Sequence, residues 1–233
     1  MEITTVSIVI PVYCESSTIR EIVQSISTVE MGLDKEVIIV DDGSTDGTRE
    51  TLNEMQRENQ TLKIFFHEKN LGKGAALRTG FANATGQIII IQDADLEYNP
   101  QDYLKLIAPI LEGKADVVYG SRFLGAPQRV LYFWHYVGNR FLTLVSNMFS
   151  NLNLNDMLSC YKVFHSSILD QTKFKSNRFG FEPEFTMKVA KLGCRIFQVP
   201  ISYSGRTYEE GKKITWRDGF AAFWHILRFR FMD

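Results

Sequence analysis

The chain reads as an α/β protein: a mixed, mostly parallel central sheet flanked by helices. Three observations predict this. Short β-branched runs alternate with amphipathic stretches, each run ends in a polar cluster, and 45% of the 233 residues are hydrophobic. Alternating strand and helix signals imply parallel strands with helices packed on both faces. The length and apolar content suit one domain spanning 1–233.

Taken in order, VSIVIPVY, EVIIVDDGS, LKIFFHE, GQIIIIQDAD and DVVYGSRF predict strands. Between them, 17–29, 48–59, 73–84 and 101–112 carry helical periodicity. The polar clusters fall at the strands' C-terminal ends, the edge where open α/β sheets bind ligands. After Arg122 the composition changes. VLYFWHYVGNRFLTLVSNMFS (130–150) spaces His135, Asn139, Thr143, Ser146 and Ser150 mostly three or four apart, which predicts a helix with a broad apolar face and a narrow polar stripe. WRDGFAAFWHILRFRFMD (216–233) is similar, with Arg217, Arg228 and Arg230 among aromatic residues.

The formal net charge of -1 argues against nucleic acid as a partner, since its binders carry a basic excess or patch. The 3 cysteines, Cys14, Cys160 and Cys194, are widely spaced without a CxxC pair, so neither a disulfide framework nor a zinc site is expected. That fits a reducing, cytoplasmic setting. MEITTVSIVIPVY does not read as a secretory signal, and no run reaches the roughly 20 apolar residues of a membrane span.

Two strand ends carry candidate chemistry. Asp41 and Asp42 lead into GSTDGT, where a carboxylate can accept from a base or ribose, or the segment can simply cap a helix. Asp93 and Asp95 stand two apart, so in an extended segment they point to the same side. Two carboxylates there suit Mg2+ or Mn2+ bound together with phosphate oxygens, and such an ion neutralises a departing diphosphate. Between these strand ends lies HEKNLGKGAALRTGF, with Lys69, Gly72, Lys73 and Gly74 ahead of a helix. It resembles a phosphate cradle but lacks the GxxxxGK[ST] spacing of a nucleoside-triphosphate loop. Lys73 is either a phosphate contact or a solvated first-turn residue.

In combination, IVIPVYCE, VDDGSTDGT, NLGKGAALRTGF, QDADLEY and GSRF resemble family 2 glycosyltransferases of the type A nucleotide-sugar fold. DMLSCYKVF, NRFGFEPEFTMKVAKLG and VPISYSGRTYEEGKKITWRDG are similar to the dolichol-phosphate mannose synthase and polyprenyl-phosphate glucosyltransferase branch, so the resemblance spans the chain. It implies that Pro11, Tyr13 and Glu15 line a nucleotide pocket and that Asp42 contacts base or ribose. Asp93, Asp95 and the preceding Gln92 match the metal and diphosphate motif. Arg122 would sit near the sugar or the acceptor phosphate, and Arg206, Lys212 and Lys213 would form a basic loop over the diphosphate or the acceptor. Glu182, in GFEPE, would orient the donor sugar, and Asp156 would contact sugar or acceptor. Cys14 stands where the family often has Asn and is left unassigned.

On this resemblance, about 1–125 form the nucleotide-sugar and metal half and about 126–233 the acceptor half. The implied partners are a nucleotide diphosphate sugar, GDP-mannose or UDP-glucose, and a polyprenyl phosphate lipid. The two amphipathic segments suit a peripheral position on the cytoplasmic face of a membrane, held by the chain itself or by a separate membrane subunit. Rival readings are transfer to a saccharide, lipid or protein hydroxyl, nucleotidyl transfer, and a non-catalytic scaffold.

Overall fold

The computed structural model describes residues 3–130, 132–211 and 216–232. Strands β1 (Thr5–Val12), β2 (Asp34–Asp41), β3 (Lys63–Phe66), β4 (Ile88–Ile91), β5 (Val117–Ser121), β6 (Lys162–His165) and β7 (Ile196–Pro200) form one sheet in the order β3-β2-β1-β4-β6-β5-β7. All neighbouring pairs are parallel except those of β6, which runs antiparallel to β4 and β5. The continuous apolar runs SIVI and IIII have the composition of strands covered on both faces. Accordingly Ile8, Val9 and Ile10 on β1 and Ile88 to Ile91 on β4 are buried.

Helices α1 (Ile19–Ser27), α2 (Thr48–Glu58), α3 (Lys73–Ala82) and α4 (Tyr103–Leu111) fall in the four predicted stretches. Beyond β5 come α5 (Phe133–Ser150), the short α6 (Ser167–Gln171), α7 (Phe181–Lys191) and α8 (Trp216–Phe231). Strands β6 and β7 return from the second half of the chain into the sheet built by the first. Helices α5, α7 and α8 pack against one another. Among the described residues no helix is long and apolar enough to cross a membrane.

The predicted polar stripe of α5 is present, but it faces inward. Thr143 and Ser146 are buried, whereas Phe133, Trp134, Phe141, Leu144 and Met148 are exposed. On α8, Ala222, Ile226 and Phe229 are buried, while Phe220, Trp224 and Phe231 are exposed. Both helices therefore carry large apolar side chains on their outer faces in addition to the apolar residues they bury, Leu142 and Val145 among them, whereas a helix on a water-facing surface keeps its outer face polar.

Candidate active site

The strand order reverses between β1 and β4, and such a switch point opens a crevice at the strands' C-terminal ends. On the β1 side, Cys14 adopts a left-handed backbone (φ 53°) and its N–H donates to Ser44 Oγ at 2.8 Å. The Glu15 N–H donates to Thr48 Oγ1 at 2.9 Å, so the loops after β1 and β2 are stitched together. Tyr13 is exposed at the rim, Pro11 lies in β1 opposite Val40, and the buried Glu15 carboxylate accepts from Arg206 Nη2 at 2.8 Å.

Asp42 is placed differently from the expectation. It is buried, and its oxygens accept from His67 Nδ1 (2.7 Å), Leu71 N (2.9 Å) and Gly72 N (2.7 Å). Three donors from its own surroundings make it a brace for the 67–72 loop rather than a carboxylate held open for base or ribose. Gly72 itself has φ +102°, and a Cβ there would collide with the Asn177 carbonyl. Only glycine suits that turn, and the turn delivers Lys73 into the crevice.

Lys73 Nζ lies 2.8 Å from Asp93 Oδ1 and 3.3 Å from Glu182 Oε1, joining the β4 motif to α7. Burial draws its pKa down, but the Asp93 and Glu182 charges outweigh this and hold it well above the ordinary lysine value. Lys73 is thus a buried ionic bridge, not a solvated first-turn residue. Arg206 Nη2 stands 3.5 Å from Asp95 Oδ2. Glu97, which the sequence reading passed over, accepts the Arg206 N–H at 2.7 Å and the Tyr203 hydroxyl at 2.8 Å, and its own N–H donates to Asp95 Oδ1 at 3.1 Å. Burial and then the neighbouring Asp93 and Glu97 charges push Asp95 up to about 7, with Arg206 opposing them.

This crowd of carboxylates fits a divalent cation. Asp93 and Asp95 are the hard oxygen donors, partly exposed on the crevice. Among the described residues no group of three His, Cys, Asp or Glu side chains is arranged to hold an ion. Gln92 is corrected: it is fully buried, Oε1 accepts from Tyr103 and Tyr161 hydroxyls at 2.7 Å each, and Nε2 donates to the Asp93 carbonyl at 2.9 Å. It anchors the strand end and is neither a metal ligand nor a substrate contact.

On the other side of the crevice, Arg122 follows β5. Asp156 grips it through Nε at 2.7 Å and Nη2 at 2.8 Å, and also accepts its backbone N–H at 3.1 Å. Asp156 is fully buried, so the expected contact with sugar or acceptor is replaced by a role in fixing the Arg122 fork. The fork lies over the Tyr203 ring, 5.1 Å from its centroid. Buried Lys162 donates to the Met157 and Ser159 carbonyls and pins the segment that follows Asp156. Glu184 is taken up by Lys175 N and Ser176 N at 2.7 Å each and by Lys188, which leaves Glu182 as the GFEPE carboxylate at the site. Lys212 and Lys213 lie outside the described residues.

The crevice therefore gathers Glu15, Lys73, Asp93, Asp95, Glu97, Glu182 and Arg206 in contact, with Arg122 held beside them. Sheet order and acidic centre together define the type A fold of nucleotide-sugar glycosyltransferases. Residues 7–172 match Glycosyl transferase family 2, and the chain belongs to that family.

Solved structures of similar fold include glucosyl-3-phosphoglycerate synthase from Mycobacterium tuberculosis in complex with Mn2+, UDP and phosphoglyceric acid. That comparison has a TM-score of 0.76 at 22% identity and covers 99% of this chain and 80% of that one. The same synthase with Mn2+ and UDP-glucose gives a TM-score of 0.73 at 22% identity, with 97% and 77% coverage.

Proposed function

We propose that the protein transfers a hexose from GDP-mannose or UDP-glucose to the phosphate of a polyprenyl or dolichyl lipid at the cytoplasmic face of a membrane, inverting the anomeric carbon and using Mg2+ or Mn2+. The observation that carries the lipid half is the outward apolar surface of α5 and α8, joined to the acceptor side of the crevice. Tyr136 of α5 packs edge-on against Phe123, 5.1 Å between centroids, next to Arg122. His135 Nε2 lies 2.9 Å from the Tyr208 hydroxyl on the Arg206 loop. An apolar face with arginines at its end suits the headgroup region, where a lipid phosphate resides.

In the reaction, an acceptor phosphate oxygen forms a bond to the anomeric carbon while the bond to the diphosphate oxygen breaks, its electron pair leaving on the nucleoside diphosphate. Asp93 and Asp95 would hold the divalent ion, which would supply positive charge to that leaving group. Arg206 adds fixed charge there and Arg122 orients the acceptor phosphate. Glu182, held by Lys73, orients the sugar. A phosphate is already anionic at neutral pH, so no strong general base is required. The second reading, a hydroxyl acceptor, is favoured by the buried Glu182 carboxylate, which would then serve as the base.

Incubation of the protein and Mn2+ with radiolabelled GDP-mannose or UDP-glucose, and with polyprenyl phosphate or 3-phosphoglycerate, separates the readings after lipid extraction. Label in the lipid phase is expected. Label confined to the aqueous acceptor, together with complete loss in Glu182→Gln, would establish the hydroxyl reading instead.

A further inference from the structure

Helix α7 begins at the crevice, and its first turn is held from two sides. On the inner side Glu182, 5% exposed, meets Lys73, which in turn holds Asp93. On the outer side His225 of α8 lies against Gly180, the residue that caps α7. A Cβ at Gly180 would fall 2.5, 2.6 and 2.7 Å from Nε2, Cδ2 and Cε1 of that imidazole, so the ring rests on bare backbone and excludes any larger residue. The ring is stacked on Phe229 with centroids 5.7 Å apart and planes 12° apart, and Phe229 is itself buried. Burial, and then Arg228, lower the His225 pKa, favouring the neutral ring.

His225 Nδ1 is buried without a hydrogen-bond partner among the described residues.

We infer that His225 is a positioning residue: its ring sets the first turn of α7 and, through it, the place of Glu182 against the donor sugar. This rests on the role given to Glu182 above. Contact runs from α8 through one ring to Gly180, and from there along two residues of backbone to the carboxylate. The nucleotide and metal carboxylates come from other elements, and Glu182 reaches them only through Lys73, so a shift of this turn acts directly on the sugar and more weakly on the nucleoside diphosphate.

The test is a cycle of His225→Ala, Gly180→Ala and the double variant. It compares affinities for UDP-glucose and GDP-mannose with those for UDP and GDP in the presence of Mn2+, together with kcat, KM and melting temperature. Each single variant is expected to weaken the preferred sugar nucleotide about 5-fold or more and to lower kcat, while its nucleoside diphosphate stays within about 2-fold. The double variant should recover part of that loss, because the Gly180→Ala methyl occupies space vacated by the imidazole. Should Gly180→Ala fail to fold, His225→Ala combined with Glu182→Gln gives the same decision, since the second substitution then adds little to the loss. Equal weakening of both ligand classes, or strictly additive effects, overturns the inference. If the wild type neither binds nor transfers any sugar, the proposed function falls and this inference with it. If the wild type transfers and the variants show no selective loss, only the inference falls.

Discussion

Asp95 sits at the balance point of the acidic centre. The Asp93 and Glu97 charges press on it, while Arg206 and the Glu97 backbone N–H relieve it. Its carboxyl is raised from an ordinary 3.8 to about 7, so the folded protein holds a proton there that the unfolded chain has already released. Between those values folding therefore binds protons, and stability falls as pH rises through about 7. Metal-free protein should thus melt at lower temperature near pH 8 than near pH 5, and Asp95→Asn should flatten the slope. Mn2+ should raise the melting temperature most at the alkaline end, where no proton competes for the carboxylate, and Asp95→Asn should lower turnover by about 100-fold or more. A melting profile unchanged by Asp95→Asn would contradict the charge balance.

The same neighbourhood shows what a sequence discloses about a site. The Asp93 and Asp95 pair was legible because two-residue spacing keeps side chains on one side. Alternation also argues that Gln92 faces the other way, so its burial beneath Tyr103 and Tyr161 follows from a rule available in the sequence. Glu97 lies past the strand end, where that periodicity no longer applies. Asp156 could not be told from a ligand contact, because its partner Arg122 is distant in sequence and meets it only in the fold. The left-handed backbone at Cys14 gives a physical reason for an Asn elsewhere in the family, since Asn tolerates that conformation better than most residues.

Strands β1 to β5 were legible as elements because each carries a local run of β-branched or aromatic residues. KVFH and IFQVP are no shorter than β3 or β4, but their mixed polar and apolar residues do not announce a strand; β6 and β7 become strands by pairing with β4 and β5 across long stretches of chain. How such pairing is secured can be seen at Glu36 of β2. Its carboxylate accepts from Ser7 of β1, from Lys63 of β3, and from Thr85 N at 2.8 Å and Oγ1 at 2.7 Å ahead of β4. Burial pushes its pKa up, yet those donors outweigh it and bring the carboxyl down to about 2 from 4.5. The stabilising contribution is complete above 4.5 and is lost as pH falls through about 2. Glu36→Gln should cost about 1–3 kcal/mol in thermal or urea unfolding and remove this part of the acid sensitivity. Nucleotide affinity should be unaffected, because Glu36 lies in the first half of β2, away from the strand's C-terminal edge. A loss of nucleotide affinity at unchanged stability would show the network acting on the site instead.

Across the whole molecule, the amphipathic pattern gave the existence of α5 and α8 but not the direction of their faces. Hydrophobic side chains normally seek the interior, so the pattern alone could equally describe core helices. In the fold, the sheet and α7 already fill the interior, and α5 turns Thr143 and Ser146 inward while Trp134 and Phe141 face out. Large apolar groups clustered on one outer surface mark a contact with lipid or protein. The combined variant Trp134→Glu, Phe141→Glu and Trp224→Glu removes apolar contact and adds negative charge without entering the core. It should reduce co-sedimentation with phosphatidylglycerol-containing vesicles by about 10-fold or more. Its melting temperature should change little, as expected of exposed positions, and its nucleotide affinity should stay within about 2-fold. Transfer to a lipid acceptor in vesicles should fall in parallel with binding, whereas transfer to the same acceptor dispersed in detergent should persist. Unchanged vesicle binding would rule out this surface as the membrane contact, and a change in sedimentation from oligomer to monomer would identify it as an interface between copies of the chain.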